Sequence, residues 1–230
     1  MQTVFGFIIT FLIAAAAAYL IGSLNGAIVS VRLLKHADIR DFGSGNAGLT
    51  NVLRCFGKGC GILTLLIDLG KGACAMLLVQ GLCKWLHLYA MPDGAGSDYR
   101  WTLYLAAVFV VLGHVFPLWH GFKGGKGVLV GVSVFLVISP LTFLILMAVF
   151  TAVLLCSKYV SLASCTATLC VIPVTLVTEL LRCKGAWGMP CLYTAMIACA
   201  AFLVVWSHRE NIKRLRAGTE RRIGEKKQKE

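Results

Sequence analysis

The sequence predicts an all-α integral membrane protein, a seven-transmembrane-helix bundle that includes short or half helices. Three observations predict it. Mean hydropathy is +0.81, with 58% of the 230 residues hydrophobic and only 14% charged, which is far from a soluble domain of this size. The apolar residues fall in blocks near the ~20 that a helix needs to cross about 30 Å of hydrocarbon. The basic residues behind the formal charge of +12 sit in short loops and at the C-terminal end. Membrane topology and anionic headgroups account for that placement, so no nucleic-acid partner is implied.

Seven segments follow in order, at about 3–31, 59–83, 101–119, 127–138, 141–156, 160–181 and 189–207, in one polytopic domain over 1–230. Residues 1–21 lack a positive n-region and a cleavage site, so the first segment reads as a retained helix, not a signal peptide. The fourth holds about a dozen residues, or ~18 Å at the helical rise, too short to span without tilt or thinning. It reads as a half-helix. Ser139-Pro140 separates it from the fifth, because proline removes a helix donor and clashes with the preceding turn. With the N-terminus outside and the C-terminus cytoplasmic, seventeen Lys and Arg fall inside and four outside, a strong positive-inside bias. Fusing the fourth and fifth segments would put the basic tail on the wrong side. Residues from about 224 to 230 read as a flexible basic tail.

On this topology the polar stretches 38–51, 113–127, 159–164 and 207–220 share the cytoplasmic face. Gly121-Phe122-Lys123-Gly124-Gly125-Lys126-Gly127 is the most informative of them. Glycines let backbone N–H groups converge on an anion and lysines add charge, chemistry that suits phosphate. The loop is not a nucleotide P-loop, since no Ser or Thr follows Lys126. Lys123 reads as snorkelling to the interface, and Lys126, at the start of the half-helix, as a phosphate contact.

Gly43-Ser44-Gly45-Asn46-Ala47-Gly48-Leu49-Thr50-Asn51 feeds the second apolar segment, with Arg54 one helical turn beyond Asn51. Ser44, Asn46 and Asn51 can donate to an anion at a helix N-terminus beside an arginine. The same residues also suit a capped turn, and local sequence does not separate the two. Past the last segment, His208 and Asn211 are i,i+3 neighbours on the face of Ile212 and Leu215. Arg209, Lys213, Arg214 and Arg216 read as headgroup contacts. Asp68 and Lys71, at i,i+3 inside the second segment, are either a structural ion pair or a substrate site. His87 and His120 have no evident partner.

The ten cysteines form no CxxC pair and sit mostly in apolar segments, as small buried hydrophobes. No metal-ligand spacing and no catalytic triad is evident, so neither metal nor cofactor is expected. His36 and Asp41 satisfy a His-x4-Asp acyltransferase pattern, but five His and five Asp in 230 residues make that a chance match.

Taken in order, Gly22-Ser23, the 43–51 loop, Gly113-His114-Val115-Phe116-Pro117, Gly124-Gly125-Lys126-Gly127, Tyr159-Val160-Ser161-Leu162-Ala163-Ser164 and 208–220 resemble the bacterial acyl-phosphate:glycerol-3-phosphate acyltransferases of the PlsY type. Asn25 departs from a usual proline and Gly26-Ala27 from an aromatic-glycine pair, both near the first helix. The resemblance implies a multi-pass enzyme of the bacterial inner membrane with its active face cytoplasmic. It would move an acyl group from acyl phosphate to the 1-hydroxyl of sn-glycerol 3-phosphate, giving lysophosphatidate and inorganic phosphate, with the enzyme supplying acyl phosphate as a partner. The matching positions place catalysis on His208, Asn211, Lys126, Ser44 and Arg54. Substrate or phosphate binding falls on Gly45, Asn46, Asn51, Gly124, Gly125, Gly127, Ser164 and Glu220. The acyl donor is already activated, so direct attack by the glycerol hydroxyl needs no protein nucleophile. An organic-phosphate transporter also needs a cationic pocket among broken helices, but would place charge near the midplane and show paired halves.

Overall fold

The computed structural model describes residues 2–86 and 99–224. His87 and most of the 224–230 tail lie outside that range. A run of alanine and larger apolar residues without charge gives α1 (Gln2–Gly22). It stops where Asn25 accepts from the Ile28 N–H at 3.0 Å and caps α2 (Gly26–Lys35). The expected single segment at 3–31 is therefore two helices, because a side-chain cap redirects the backbone without altering hydropathy.

The long second apolar helix, α3 (Leu49–Trp85), starts well before residue 59 and kinks at Gly57, where φ is 76° and ψ −168°, a conformation that glycine tolerates. The kink separates an arm carrying Asn51 and Arg54 from the apolar shaft. Next comes α4 (Arg100–Val115), the most enclosed of the long helices. The short segment is α5 (Val128–Ser133) followed by α6 (Phe135–Ile138). Ser139 then caps α7 (Pro140–Ser157), with Pro140 in its first turn. The break expected at Ser139-Pro140 is present. The chain continues through α8 (Val160–Arg182), α9 (Gly188–Ser207) and α10 (Arg209–Arg216).

Among the described residues six stretches are long and apolar enough to cross a membrane, the first running from Val4 to Lys35 across α1 and α2, and Val128–Ile138 is apolar but shorter. α4 is the hub: α1 packs along one side and α9 along another, α3 reaches α1, α2, α4 and α5, and α8 lies between α7 and α9. Lipid is as apolar as leucine, so close backbone approach and buried polar contacts hold such a bundle. A Cβ on Gly22 would strike the Val110 backbone, and one on Gly113 the Tyr19 carbonyl. Both glycines are there to let α1 and α4 touch.

Two buried polar clusters pin the helices. Lys71 Nζ lies 2.8 Å from Asp68 Oδ1, 2.7 Å from His114 Nδ1 and 2.6 Å from the Leu24 carbonyl oxygen, which uses all three ammonium hydrogens. Asp68 also accepts from the Gly26 N–H at 3.1 Å. One lysine thus clips α2, α3 and α4 together, with every one of its donors already taken. At the far end Glu179, fully buried, accepts from Tyr104 at 3.0 Å, Arg100 at 2.9 Å and Arg182 at 2.8 Å. This cluster has no counterpart in the motifs singled out from sequence, because its members lie on two helices far apart in the chain.

Candidate active site

Lys126 stands at the mouth of α5, held there by a loop folded against the end of α4. The Gly124 and Gly125 N–H groups donate to the Val115 and His114 carbonyls at 3.1 and 3.2 Å. The expectation that these glycine N–H groups converge on an anion is therefore corrected: they are spent on the backbone. Their glycine identity has a steric cause. A Cβ on Gly124 would meet the His114 carbonyl oxygen and the Pro117 ring, and one on Gly125 the His114 ring and the Ala47 carbonyl. Gly127, with φ of 85°, makes the left-handed turn that starts the helix.

From Lys126 a chain of hydrogen bonds crosses four elements. Its Nζ donates to Asn211 Oδ1 at 2.5 Å, and Asn211 Nδ2 donates to Glu220 Oε1 at 2.6 Å. Ser161 Oγ donates to the same oxygen at 2.7 Å, and Arg214 Nε donates to Glu220 Oε2 at 2.7 Å. Glu220 reaches this position because the chain after α10 folds back on the start of α8. There the Ile223 N–H bonds the Lys158 carbonyl at 2.9 Å and Arg222 bonds the Tyr159 hydroxyl at 3.1 Å. Arg214, expected to meet headgroups, is thus engaged inside the site. Arg209 does stay outside, stacked 4.4 Å over Trp206.

The electrostatics follow from burial. Burial pushes Lys126 down to about 8, against the pull of Glu220, and Arg214 and Arg54 push the same way as burial. His208, 3% exposed, is pushed down to about 4 by burial and by Lys126, and is neutral at ordinary pH. Its Nδ1 lies 2.8 Å from the Val204 carbonyl oxygen, so that nitrogen carries the proton and Nε2 keeps a lone pair. Burial works against the charge of Glu220, but the hydrogen bonds from Asn211, Ser161 and Arg214 outweigh it and hold the carboxyl below its usual range.

The 43–51 loop answers the question left open by sequence. Asn51, 2% exposed, accepts from the Ser44 N–H at 3.1 Å and donates to the Phe42 and Asn46 carbonyls at 2.9 and 3.1 Å. Its amide is spent on the turn. The expected phosphate donor is a loop former. Gly45 supplies a positive φ of 69°, and the Ser44 side chain and Arg54 remain exposed. Arg54 joins no ion pair among the described residues, yet its charge is felt at Lys126. Arg40 Nη1 donates to the His120 carbonyl at 2.7 Å and bridges this loop to the lysine loop. Ser164 is buried one turn beyond Ser161, and Ser161, not Ser164, contacts Glu220. Asp68 and Lys71 belong to the structural clip. His36 and Asp41 are both exposed, in keeping with a chance match. His120 has no hydrogen-bond partner for either ring nitrogen among the described residues.

Below the polar chain lies a narrow apolar cleft between α4, the α5–α6 segment, α7, α8 and α9. Gly127, next in sequence to Lys126, and Val204, whose carbonyl oxygen lies 2.8 Å from His208 Nδ1, line its upper end. The cationic cluster therefore borders the cleft.

A family-level sequence model described as Glycerol-3-phosphate acyltransferase matches residues 12–218. A glycerol-3-phosphate acyltransferase of Synechococcus sp. (strain CC9902) is 39% identical over 215 residues, 94% of this chain and 96% of that one. Its counterpart in Clostridioides difficile (strain 630) is 38% identical over 221 residues, 96% of this chain and 99% of that one. Crystal structures of PlsY (YgiH), an integral membrane glycerol 3-phosphate acyltransferase, superpose with TM-scores of 0.75 in the glycerol 3-phosphate form and 0.73 in the lysophosphatidic acid form. Their identities are 34% and 33%, each covering 93% of this chain and 96% and 95% of the solved ones. This chain belongs to the PlsY-type glycerol-3-phosphate acyltransferase family.

Proposed function

We infer that this chain is a membrane-embedded acyltransferase that acylates the 1-hydroxyl of sn-glycerol 3-phosphate, with acyl phosphate as donor. One observation carries the reading: a cationic cluster built on Lys126 borders an apolar cleft lined by its neighbour Gly127 and by Val204. Phosphate needs the first and a fatty acyl chain needs the second, and the scissile bond of an acyl phosphate joins the two.

Lys126 donates one of its three hydrogens to Asn211 and keeps two for a phosphate oxygen. Arg54, and Ser44 on the loop beside it, complete the anion site, with Glu220 holding Asn211 and Arg214 in place. The glycerol hydroxyl attacks the carbonyl carbon, the new C–O ester bond forms, and the carbonyl carbon–oxygen bond to phosphate breaks. The proton passes to the departing phosphate, which leaves as hydrogen phosphate, while His208, neutral in the free protein, accepts a hydrogen bond from the hydroxyl at Nε2 and aims it. Cations around the leaving group favour the charge it develops.

In the membrane, α1 with α2, α3, α4, the α5–α6 segment, α7, α8 and α9 make seven crossings, with the N-terminus outside and the active face cytoplasmic. The bilayer is the bacterial inner membrane, and the acyl donor enters the cleft laterally between helices, delivered by the enzyme that makes acyl phosphate. A transporter would need a pathway through both ends, and here Glu179 with its arginines closes the end away from Lys126.

The deciding experiment measures phosphate release from acyl phosphate by the purified chain. Release is expected only when glycerol 3-phosphate is present, with lysophosphatidate formed in equal amount. His208→Ala is expected to lower turnover about 10²-fold through lost orientation. Release without the acceptor, or near-normal turnover of His208→Ala, would overturn the reaction or the histidine role respectively.

A further inference from the structure

At its inner end the apolar cleft meets a tightly packed layer, and the residues on either side of that boundary can be read one helical turn at a time. Ala107, Phe135, Leu146, Val171 and Ile197 line its inner end on α4, α6, α7, α8 and α9. One turn further from Lys126 on the same five helices stand Tyr104, Ile138, Thr142, Thr175 and Tyr193. All five are buried, and four of them show no exposed surface. The cleft therefore stops between two successive layers.

The two tyrosines are the bulkiest side chains of that layer, and they are fixed. Their rings stack with centroids 4.5 Å apart and 11° between planes. The Tyr104 hydroxyl donates to Glu179 at 3.0 Å, and Arg100 and Arg182 hold the same carboxylate. Arg182 also donates to the Ile138 carbonyl at 3.3 Å, which ties the end of α6 into the network. Moving Tyr104 aside would strip a donor from a carboxylate with no exposed surface, which is costly. A flexible leucine floor would yield to a methyl terminus; this one resists.

We propose that the Tyr104–Tyr193 pair sets the maximum acyl chain length by forming the fixed floor of the acyl groove. The proposal rests on reading the cleft as the acyl site. Along α8, Ser164 lies about 10 Å from Val171 at the helical rise, and a chain longer than the groove leaves its surplus at the mouth. The acyl carbonyl is then drawn away from Lys126 and His208, and misplacement of about 1 Å costs heavily in rate.

The test compares kcat/KM across a series of saturated acyl phosphates of increasing length, with glycerol 3-phosphate saturating and the full chain purified. The native chain is expected to show a limiting length beyond which kcat/KM falls at least tenfold. Tyr193→Ala opens about one turn of depth, 5.4 Å or roughly four methylenes, and is expected to move the limit outward by that amount. Ala107→Leu fills the groove just above the floor and is expected to move it inward, so the proposal stays testable if the alanine variant fails to fold. A native profile with no limit, or active variants whose limits stay in place, would overturn the floor while leaving the acyltransferase reading intact. A native chain that transfers no acyl group at all would overturn both.

Discussion

Lys126 is where charge, burial and pH meet in one side chain. Burial holds it near 8 in the free protein, with Glu220 opposing and Arg214 and Arg54 assisting. It is protonated below that pH and neutral above it, so anion binding is present on the acid side and lost as pH rises. A bound phosphate favours the ammonium and shifts the loss to higher pH. The alkaline limb of kcat/KM, which reports the free enzyme, is therefore expected near pH 8, with that of kcat displaced upward. Lys126→Arg is expected to remove the limb from the accessible range, because a guanidinium keeps its proton. Lys126→Met is expected to lose about 10²- to 10³-fold at every pH. Profiles of kcat/KM against pH for the three proteins decide it: an unchanged limb in the arginine variant would take Lys126 out of anion binding.

Between elements, the Asp68–Lys71–His114 cluster has the clearest energetic consequence. Lys71 is 3% exposed at its side chain and Asp68 2%, and the clip joins α2, α3 and α4 directly beneath the lysine loop, where the His114 ring lies against Gly125. Lys71→Met leaves a buried carboxylate with only the Gly26 N–H at 3.1 Å and the His114 ring at 3.7 Å, a loss of about 3–5 kcal/mol for one half of a buried pair. Pairing it with Asp68→Asn is expected to restore much of that, since both charges are then gone. Thermal unfolding of the two variants in one detergent measures the difference, and equal losses would mean that the pair is not coupled. The same elements show what a sequence can and cannot give. Intramembrane charges at i,i+3 spacing mark a pair, but whether it serves substrate or scaffold depends on Leu24 and His114, which no spacing reveals. Glycines at 124 and 125 are plain in the sequence. That they admit a histidine ring and a carbonyl, with no anion nest, is a fact of packing. Asn51 likewise reads as a donor, and only the folded loop shows its donors already taken. Lys126, His208 and Asn211 come together as the motifs suggest, whereas Ser161 and Arg214 join them through a C-terminal turn that carries no periodic signal.

Across the whole molecule, hydropathy finds the long helices because the bilayer imposes a length on them, and it misses the Asn25 break because a cap is one side chain. The short segment is the point at which topology turns. Its start lies with Lys126, beside Asn211 and Glu220, and its end with Ile138, whose carbonyl meets Arg182. The α5–α6 pair thus runs from one polar end of the bundle to the other, although eleven residues rise only about 16 Å. If it counts as a crossing, the turn after α8 lies opposite the end of α10, and α1 begins opposite the C-terminal end. Lys and Arg favour the Lys126 end as the cytoplasmic one. A fluorescent reporter fused after Gly224 is expected to mature in the cytoplasm, and alkaline phosphatase fused at Ala186 or ahead of Gln2 to be active outside. Activity at Ala186 combined with inactivity ahead of Gln2 would leave six crossings and make the α5–α6 segment re-entrant. Both polar ends on one side would exclude a single cytoplasmic chamber for the two phosphorylated reactants.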